Sequence, residues 1–234
     1  MNAPGSGNPE VVVVGPAAQV DDAVRALEGV GGRLLRTRTL GSLGLRLLIF
    51  EYPRGRSLLV AQNALQGGAP DMIASFHSIY RFSQFRPRTY ASQLVAAGSA
   101  TGCRLPRSVR IGMIDGPVDT GHPALASGSV NSVSLLRDSE RAAQDDHGTA
   151  IAALMVGQDE SGVLSGFAQG ARLFTVAIFA SRWGREQADV ERIAAALDYL
   201  LSRNVRLINM SFSGPENAVL RIVLDAAAAG GAIM

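Results

Sequence analysis

Hydrophobic and polar positions follow two different rhythms along the chain, and the change between them falls near residue 109. In the first stretch, Val11–Val14 is a short unbroken apolar run of the kind a buried strand carries. Residues 20–30 place Ala23, Leu27 and Val30 on one face at helical spacing, and Gly31-Gly32 closes that segment. Arg33 to Leu40 alternates polar and apolar residues, Gly41–Gly44 turns, and Leu45 to Tyr52 returns as a second strand. A second helix is predicted over Arg56 to Gln66, ended by Gly67-Gly68, with a last strand over Ile73 to Phe76. In order these elements read β-α-β-β-α-β, the split βαβ arrangement.

From Val109 onward the pattern becomes an alternation of strands and helices, the signature of a parallel α/β sheet. Strands are predicted at Val109–Ile114, Arg172–Phe179 and Val205–Met210. Helices are predicted from His147 to about Val156, over Ala188–Ser202 and over Glu216–Ala229. The middle one is the clearest, with Val190, Ile193, Ala194, Leu197, Leu200 and Leu201 at helical spacing. Ala232-Ile233-Met234 begins a further strand, and a strand in such a sheet buries its apolar face against neighbours; the second region is therefore expected to be incomplete, its sheet cut off one step into a strand. Between the two rhythms lies a stretch without an acidic residue from Met72 to Ile114. It carries Arg81, Arg86, Arg88, Arg104, Arg107 and Arg110, with Pro87, Pro106, Gly98 and Gly102 interspersed. This composition reads as an exposed connector, or as a site of proteolytic processing. The expected organisation is a tail over 1–9, a ferredoxin-like α+β domain over 10–80, a connector over 81–108 and a parallel-sheet α/β domain over 109–234.

Composition then removes whole classes of function. All 22 basic residues are arginine, so a phosphate-binding Walker lysine, a Schiff-base enzyme and a Ser–Lys hydrolase are excluded. The single cysteine, Cys103, allows no internal disulfide and no thiolate metal cluster. A formal net charge of +2, without a concentrated basic face, does not point to nucleic acid. No apolar run reaches the roughly 18 residues of a membrane span, and no signal sequence is visible.

Candidate chemistry gathers in the second region. Arg110-Ile111-Gly112-Met113-Ile114-Asp115 puts a carboxylate at the C-terminal end of a buried parallel strand, where ligand and catalytic groups of open α/β sheets collect; an aspartate there also commonly caps a turn. Asp145-Asp146-His147-Gly148-Thr149 opens a helix, and Asp145 and Asp146 are expected to cap it. A buried carboxylate paired with His147 would hold the imidazole in one tautomer and stabilise its protonated form, as serine hydrolysis requires. His122, before Pro123, reads as a turn residue. A competing set of Asp115, Asp119, His122 and His147 would serve a metal-dependent hydrolase.

Four segments together resemble the subtilases, the subtilisin-like serine proteases (peptidase S8 family). Ile111-Gly112-Met113-Ile114-Asp115, with Val118-Asp119 and His122-Pro123, resembles their catalytic aspartate segment, and His147-Gly148-Thr149-Ala150-Ile151-Ala152 their catalytic histidine segment. Gly162-Val163-Leu164-Ser165-Gly166-Phe167-Ala168 is similar to the stretch that follows, and Ile208-Asn209-Met210-Ser211-Phe212-Ser213-Gly214-Pro215 to the substrate-binding segment. The resemblance implies a serine endopeptidase zymogen, secreted or periplasmic in its complete form, acting on polypeptide substrates or bound to a related protease. It makes residues 10–80 a pro-domain that assists folding, inhibits, and is cleaved somewhere after Phe76. Asp115 would orient His147, His147 would act as general base and then acid, and Ser211, Phe212, Ser213 and Gly214 would present backbone groups to an extended peptide. Ala180–Gly184, with Trp183, would form the facing wall, and His77 has no assigned role. No cofactor is required; calcium is possible, with only Asp159 and Glu160 as charged ligands between Val156 and Gly162.

The departures are equally specific. Gly116-Pro117 follows the aspartate where the family has Thr or Ser and then Gly, Ala150 replaces a second histidine, and Ser213 stands at a common glycine. The family's Gly-Thr-Ser-Met-Ala nucleophile segment and its oxyanion asparagine have no counterpart in these residues. The 234-residue chain is therefore expected to be a truncated form without peptidase activity, or alternatively a non-catalytic inhibitor or binding module for a related protease.

Overall fold

The computed structural model describes residues 8–82, 104–126, 128–158 and 165–234. The chain divides into two compact units. The first comprises the chain up to Tyr80 with Ala188–Arg203 and Gly214–Ala232; the second comprises Arg81–Gln187, Asn204–Ser213 and Ile233–Met234.

In the first unit, β1 (Glu10–Gly15), β2 (Arg33–Leu40), β3 (Leu45–Glu51) and β4 (Ile73–Phe76) form a sheet in the order β2-β3-β1-β4, with every neighbouring pair antiparallel. Helices α1 (Val20–Gly29) and α2 (Leu58–Gly68) close one face, where Val11, Val13, Leu48 and Phe50 pack with Ala23, Leu27, Ala61 and Leu65. Helices α4 (Val190–Ser202) and α5 (Ala218–Ala229) belong to the same unit, with α5 against β1 and β4 and α4 against β2. Both faces of the central strand are thus covered. This is the physical reason Val11–Val14 is an unbroken apolar run in an antiparallel sheet, where one-sided burial would give alternation: all four valines are fully buried.

The second unit holds a parallel sheet of β6 (Arg110–Asp115), β7 (Ser129–Ser134), β8 (Arg172–Ala177) and β11 (Leu207–Met210), in the order β11-β6-β8-β7. Helix α3 (Asp146–Val156) packs its Ala152 and Val156 with Ile111, Met113 and Leu173. Strand β7 was not predicted; its Ser-Val-Asn-Ser-Val-Ser sequence lies at the sheet edge, where one half-exposed polar strand carries no hydrophobic run to read. At the far side Ile233 bridges Leu207 in parallel, with the Ile208 N–H donating to Ile233 O at 2.8 Å.

Short strands complete the architecture: β5 (Ile79–Phe82), β9 (Ala180–Arg182), β10 (Arg185–Asp189) and β12 (Phe212–Ser213). The helix expected from Ala188 begins at Val190, because Asp189 is still extended and accepts the Arg192 N–H at 3.0 Å as its N-cap. Trp183 and Gly184 at the β9–β10 tip both have positive φ, 49° and 70°, which a two-residue type I′ hairpin turn needs. Strand β5 runs to Phe82, two residues into the segment read as connector, and residues 83–103 of that connector lie outside the described residues.

Candidate active site

Asp115 is the last residue of β6 and is completely buried. Its Oδ1 accepts the Gly116 N–H at 2.7 Å and faces His147 Nδ1 at 2.8 Å. A carboxylate offers acceptors alone, so Nδ1 carries the proton and Nε2 the lone pair in the neutral ring. Oδ2 is buried without a hydrogen-bond partner among the described residues. Burial pushes the Asp115 carboxyl up from its ordinary value; the Gly116 N–H and His147 oppose this, and the Glu186 charge adds to it.

His147 is the second residue of α3, and the seat of that helix is set by a close approach. A Cβ on Gly148 would stand 2.3 Å from Pro117 O and 2.9 Å from Gly116 O. The first turn of α3 therefore rests directly on the Gly116-Pro117 loop, and only glycine at 148 permits it. Thr149 Oγ1 accepts the Asp119 N–H at 2.9 Å and fastens the same loop to the same turn. The Gly116-Pro117 departure thus supports the histidine from below. Asp145, expected to cap α3, makes no side-chain cap hydrogen bond; its backbone is already helical, with φ −89° and ψ −5°. Asp146 lies in the first turn, where its charge suits the helix dipole.

Aromatic rings wall the imidazole. Phe82 stacks on His147 with centroids 4.2 Å apart and planes 20° apart, and Phe179 lies 4.0 Å from Phe82. Phe212 meets Phe179 edge-on at 5.7 Å. A Cβ on Gly116 would stand 3.0 Å from Phe82 Cζ, so this loop also makes room for the ring. Among the described residues the His147 ring makes no hydrogen bond besides that to Asp115.

The segment with candidate substrate-binding residues is ordered differently at each position. Ser211 turns its hydroxyl to Asn209, whose Nδ2 donates to Oγ at 2.9 Å. Phe212 and Ser213 form β12 and pair antiparallel with Phe82 and Arg81. Gly214 lies in the first unit, where an added Cβ would be 2.3 Å from the Tyr80 ring. His122 and Asp119 serve turns: His122 Nδ1 accepts the Ala124 N–H at 3.2 Å, and Asp119 Oδ1 accepts the Gly121 N–H at 3.0 Å. Among the described residues, Asp115, Asp119, His122 and His147 do not converge as one ligand group. Trp183 is 76% exposed at its hairpin tip. Asp159 and Glu160 lie outside the described residues. Sequence reasoning missed Phe82 and Phe179 as walls of the site, since single aromatics in a connector and at a strand end carry no motif.

The Subtilase family model matches residues 107–233, a span that contains the Asp115–His147 pair and Ser211–Gly214. The chain belongs to the Subtilase family. It is 29% identical over 139 residues to the major intracellular serine protease of Bacillus subtilis (strain 168), covering 53% of this chain and 43% of that protein. It is 28% identical over 193 residues to subtilisin E of the same organism, covering 79% of this chain and 49% of that one. This subtilase chain spans about half the length of the curated relatives it matches. Among solved structures, the epidermin leader peptide processing serine protease (EpiP) from Staphylococcus aureus aligns with 97% of this chain and 59% of its own, at a TM-score of 0.56 and 13% identity, a likeness of fold. Among the described residues of this subtilase, no helix is long and apolar enough to cross a membrane.

Proposed function

We propose that these residues supply the aspartate and histidine of a Ser-His-Asp endopeptidase and the strand that receives its peptide substrate. The observation that carries the reading is the 2.8 Å contact of His147 Nδ1 with the buried Asp115. In this role Asp115 holds the imidazole in the tautomer that exposes the Nε2 lone pair. His147 takes a proton from the attacking hydroxyl and returns it to the leaving amine, and Asp115 stabilises the imidazolium between those steps. Ser211–Gly214 offers backbone groups to an extended chain, as an edge strand does; the pairing of Arg81 and Phe82 with Ser213 and Phe212 supports this use of the segment. The serine and the oxyanion asparagine have no counterpart in these 234 residues, so a polypeptide of this length alone is expected not to hydrolyse peptides.

Residues 10–80 are, in this reading, a ferredoxin-like pro-domain, supported by the β2-β3-β1-β4 order and the βαββαβ succession. The complete protein is proposed to be a secreted or periplasmic zymogen. Its test is a longer polypeptide that continues through a Gly-Thr-Ser-Met-Ala segment: it should cleave peptides, and His147→Ala should remove the activity. Retained activity in that variant would end the assignment.

The second reading, an inhibitor or binding module for a related protease, is favoured by one observation. Phe82 stacks on one face of the His147 ring, with centroids 4.2 Å apart. Residues 1–85 would then inhibit a complete subtilase; absence of inhibition at micromolar concentration rejects this reading.

A further inference from the structure

His77 was assigned no role by the sequence, yet it sits among charged side chains of the first unit. Its side chain is nine-tenths buried. Nδ1 lies 2.6 Å from Glu10 Oε2 of β1, and Nε2 lies 3.5 Å from Asp189 Oδ1 at the N-cap of α4. Both ring nitrogens thus face carboxylates. A neutral imidazole has one donor and one acceptor, so in this setting one lone pair would point at a carboxylate oxygen in a buried position. At 3.5 Å the Nε2 contact is an ion-pair distance, not a formed hydrogen bond, and among the described residues the buried Nε2 has no hydrogen-bond partner. Only a cation on that nitrogen makes the arrangement favourable.

The neighbours decide which cation. Asp189 also pairs with Arg192 at 3.1 Å. Glu191, whose side chain is only 4% exposed, is held by Arg36 at 2.6 Å and Arg38 at 3.3 Å; Arg36 also reaches Glu10 at 3.3 Å. The guanidiniums engage Glu191, Glu10 and the outer oxygen of Asp189, while Glu10 Oε2 and Asp189 Oδ1 also face the two ring nitrogens of His77, so a proton on each nitrogen meets a carboxylate oxygen and displaces no arginine. A divalent ion on His77, Asp189 and Glu191, which do lie close enough together to ligate one, would have to displace Arg36 from Glu191.

We propose that His77 is held as an imidazolium, a buried positive bridge from Glu10 of β1 to the Asp189 cap of α4, and that this bridge is a latch on α4 that opens at alkaline rather than mildly acidic pH. Burial pulls the His77 pKa down, but Asp189 and Glu10 outweigh it and raise it to about 9. For Asp189, burial acts upward and is outweighed by His77 and Arg192, which hold the carboxyl well below its ordinary range; Glu10 is lowered chiefly by His77. A group whose folded pKa exceeds its unfolded value of about 6.5 contributes fully below that value. That contribution is lost as pH rises through about 9. The two carboxylates contribute above their unfolded values and lose their share only as pH falls through their lowered ones. The latch is therefore closed across the neutral and mildly acidic range in which an ordinary histidine switches. It deepens the pro-domain reading, because it sets the pH at which residues 10–80 loosen from α4. Its titration needs no hydrolysis, so its failure and the failure of the peptidase reading are separate results.

The test is a pH titration of the 234-residue chain, followed by NMR of ring carbons in 13C-histidine-labelled protein. His77→Gln identifies the His77 signal; His122→Gln and His147→Gln identify the other two if that variant does not fold. The expected result is a His77 midpoint near 9, and a drop of at least one pH unit in Asp189→Asn, which keeps a capping side chain. A midpoint at or below 6.5 would overturn the bridge, as would a midpoint unmoved in Asp189→Asn. A His77 signal shifted by equimolar zinc chloride at pH 7 would overturn it in favour of a metal site.

Discussion

Two of the three histidines in this chain place Nδ1 against a carboxylate at almost the same distance, 2.6 Å for His77 with Glu10 and 2.8 Å for His147 with Asp115. What separates them is the other nitrogen. His77 turns Nε2 toward a second carboxylate, Asp189, inside a cluster of arginines and acids. His147 has one carboxylate, and an aromatic ring stacked on its face. A ring between two anions is locked in its charged form and has no basic lone pair; a ring with one anion keeps Nε2 for proton transfer. In the roles proposed for them, the difference between a fastener and a catalytic base is one carboxylate on the far side of the ring. The two Nδ1 contacts alone would not distinguish them.

The largest expected effect tests that difference directly. In a longer polypeptide with peptidase activity, His147→Ala should lower kcat/KM by about 10³-fold or more, within the range general acid–base catalysis supplies and above. His77→Gln should leave it within about twofold, measured on a peptide substrate after maturation. Equal losses in the two variants would erase the distinction.

The seat of His147 can be tested through Gly148, with Gly29 of the first unit as an uncrowded control. Gly148→Ala pushes a Cβ into the backbone of Pro117, so α3 must move; a loss of about 2–3 kcal/mol is expected, read as a lower urea midpoint of the 234-residue chain. Gly29, near the end of α1, has nothing within 4 Å of an added Cβ, and Gly29→Ala should gain about 0.5 kcal/mol by restricting the unfolded chain. A neutral Gly148→Ala would mean that the Gly116-Pro117 loop yields and does not seat His147.

Most of the fold was legible in the sequence, and the reasons are local. The turn between β2 and β3 was marked by Gly41–Gly44, and the βαββαβ succession followed from runs of the right length, whereas the β2-β3-β1-β4 order of the sheet came from the structure. Asp115 and His147 were legible because a strand-end aspartate and a His-Gly-Thr helix start stand at fixed places in a motif. The edge strand β7 and the capping strand β10 were not, since neither carries enough apolar residues to set a period. His77 was illegible for another reason. Its partners Glu10 and Asp189 are 67 and 112 positions away, and no local pattern encodes a buried charge assembled at that range. The continuous Val11–Val14 run did announce burial on both faces, but not that α4 and α5 would supply the second cover.

Asp189 joins two roles that its substitutions separate. It caps α4 through Oδ1 and faces His77 through the same atom, while Oδ2 pairs with Arg192. Asp189→Asn keeps the capping oxygen and loses the charge; Asp189→Ala loses both. The difference between the two variants should be about 1 kcal/mol, the worth of a cap, with Asp189→Ala the less stable in chemical unfolding at pH 7. Indistinguishable variants would show that the charge, not the cap, dominates at this position.

The smallest effect lies at the rim of the same cluster, on Arg38. Its side chain is 43% exposed and reaches Glu191 at 3.3 Å, whereas Arg36, 30% exposed, approaches Glu191 at 2.6 Å and also contacts Glu10. Solvent and salt screen the outer guanidinium more than the inner one, so Arg38→Ala should cost at most about 1 kcal/mol. That loss should vanish in 1 M sodium chloride, where the screening length is about 3 Å. Arg36→Ala removes the nearer partner of a carboxylate that is itself buried, and hydrogen bonds to charged groups are worth about 1.5–3 kcal/mol; its loss should persist in the same salt. Unfolding the two variants side by side at low and high salt checks the ranking. A larger, salt-resistant loss for Arg38 would mean that the outer arginine, not Arg36, holds Glu191 against the sheet.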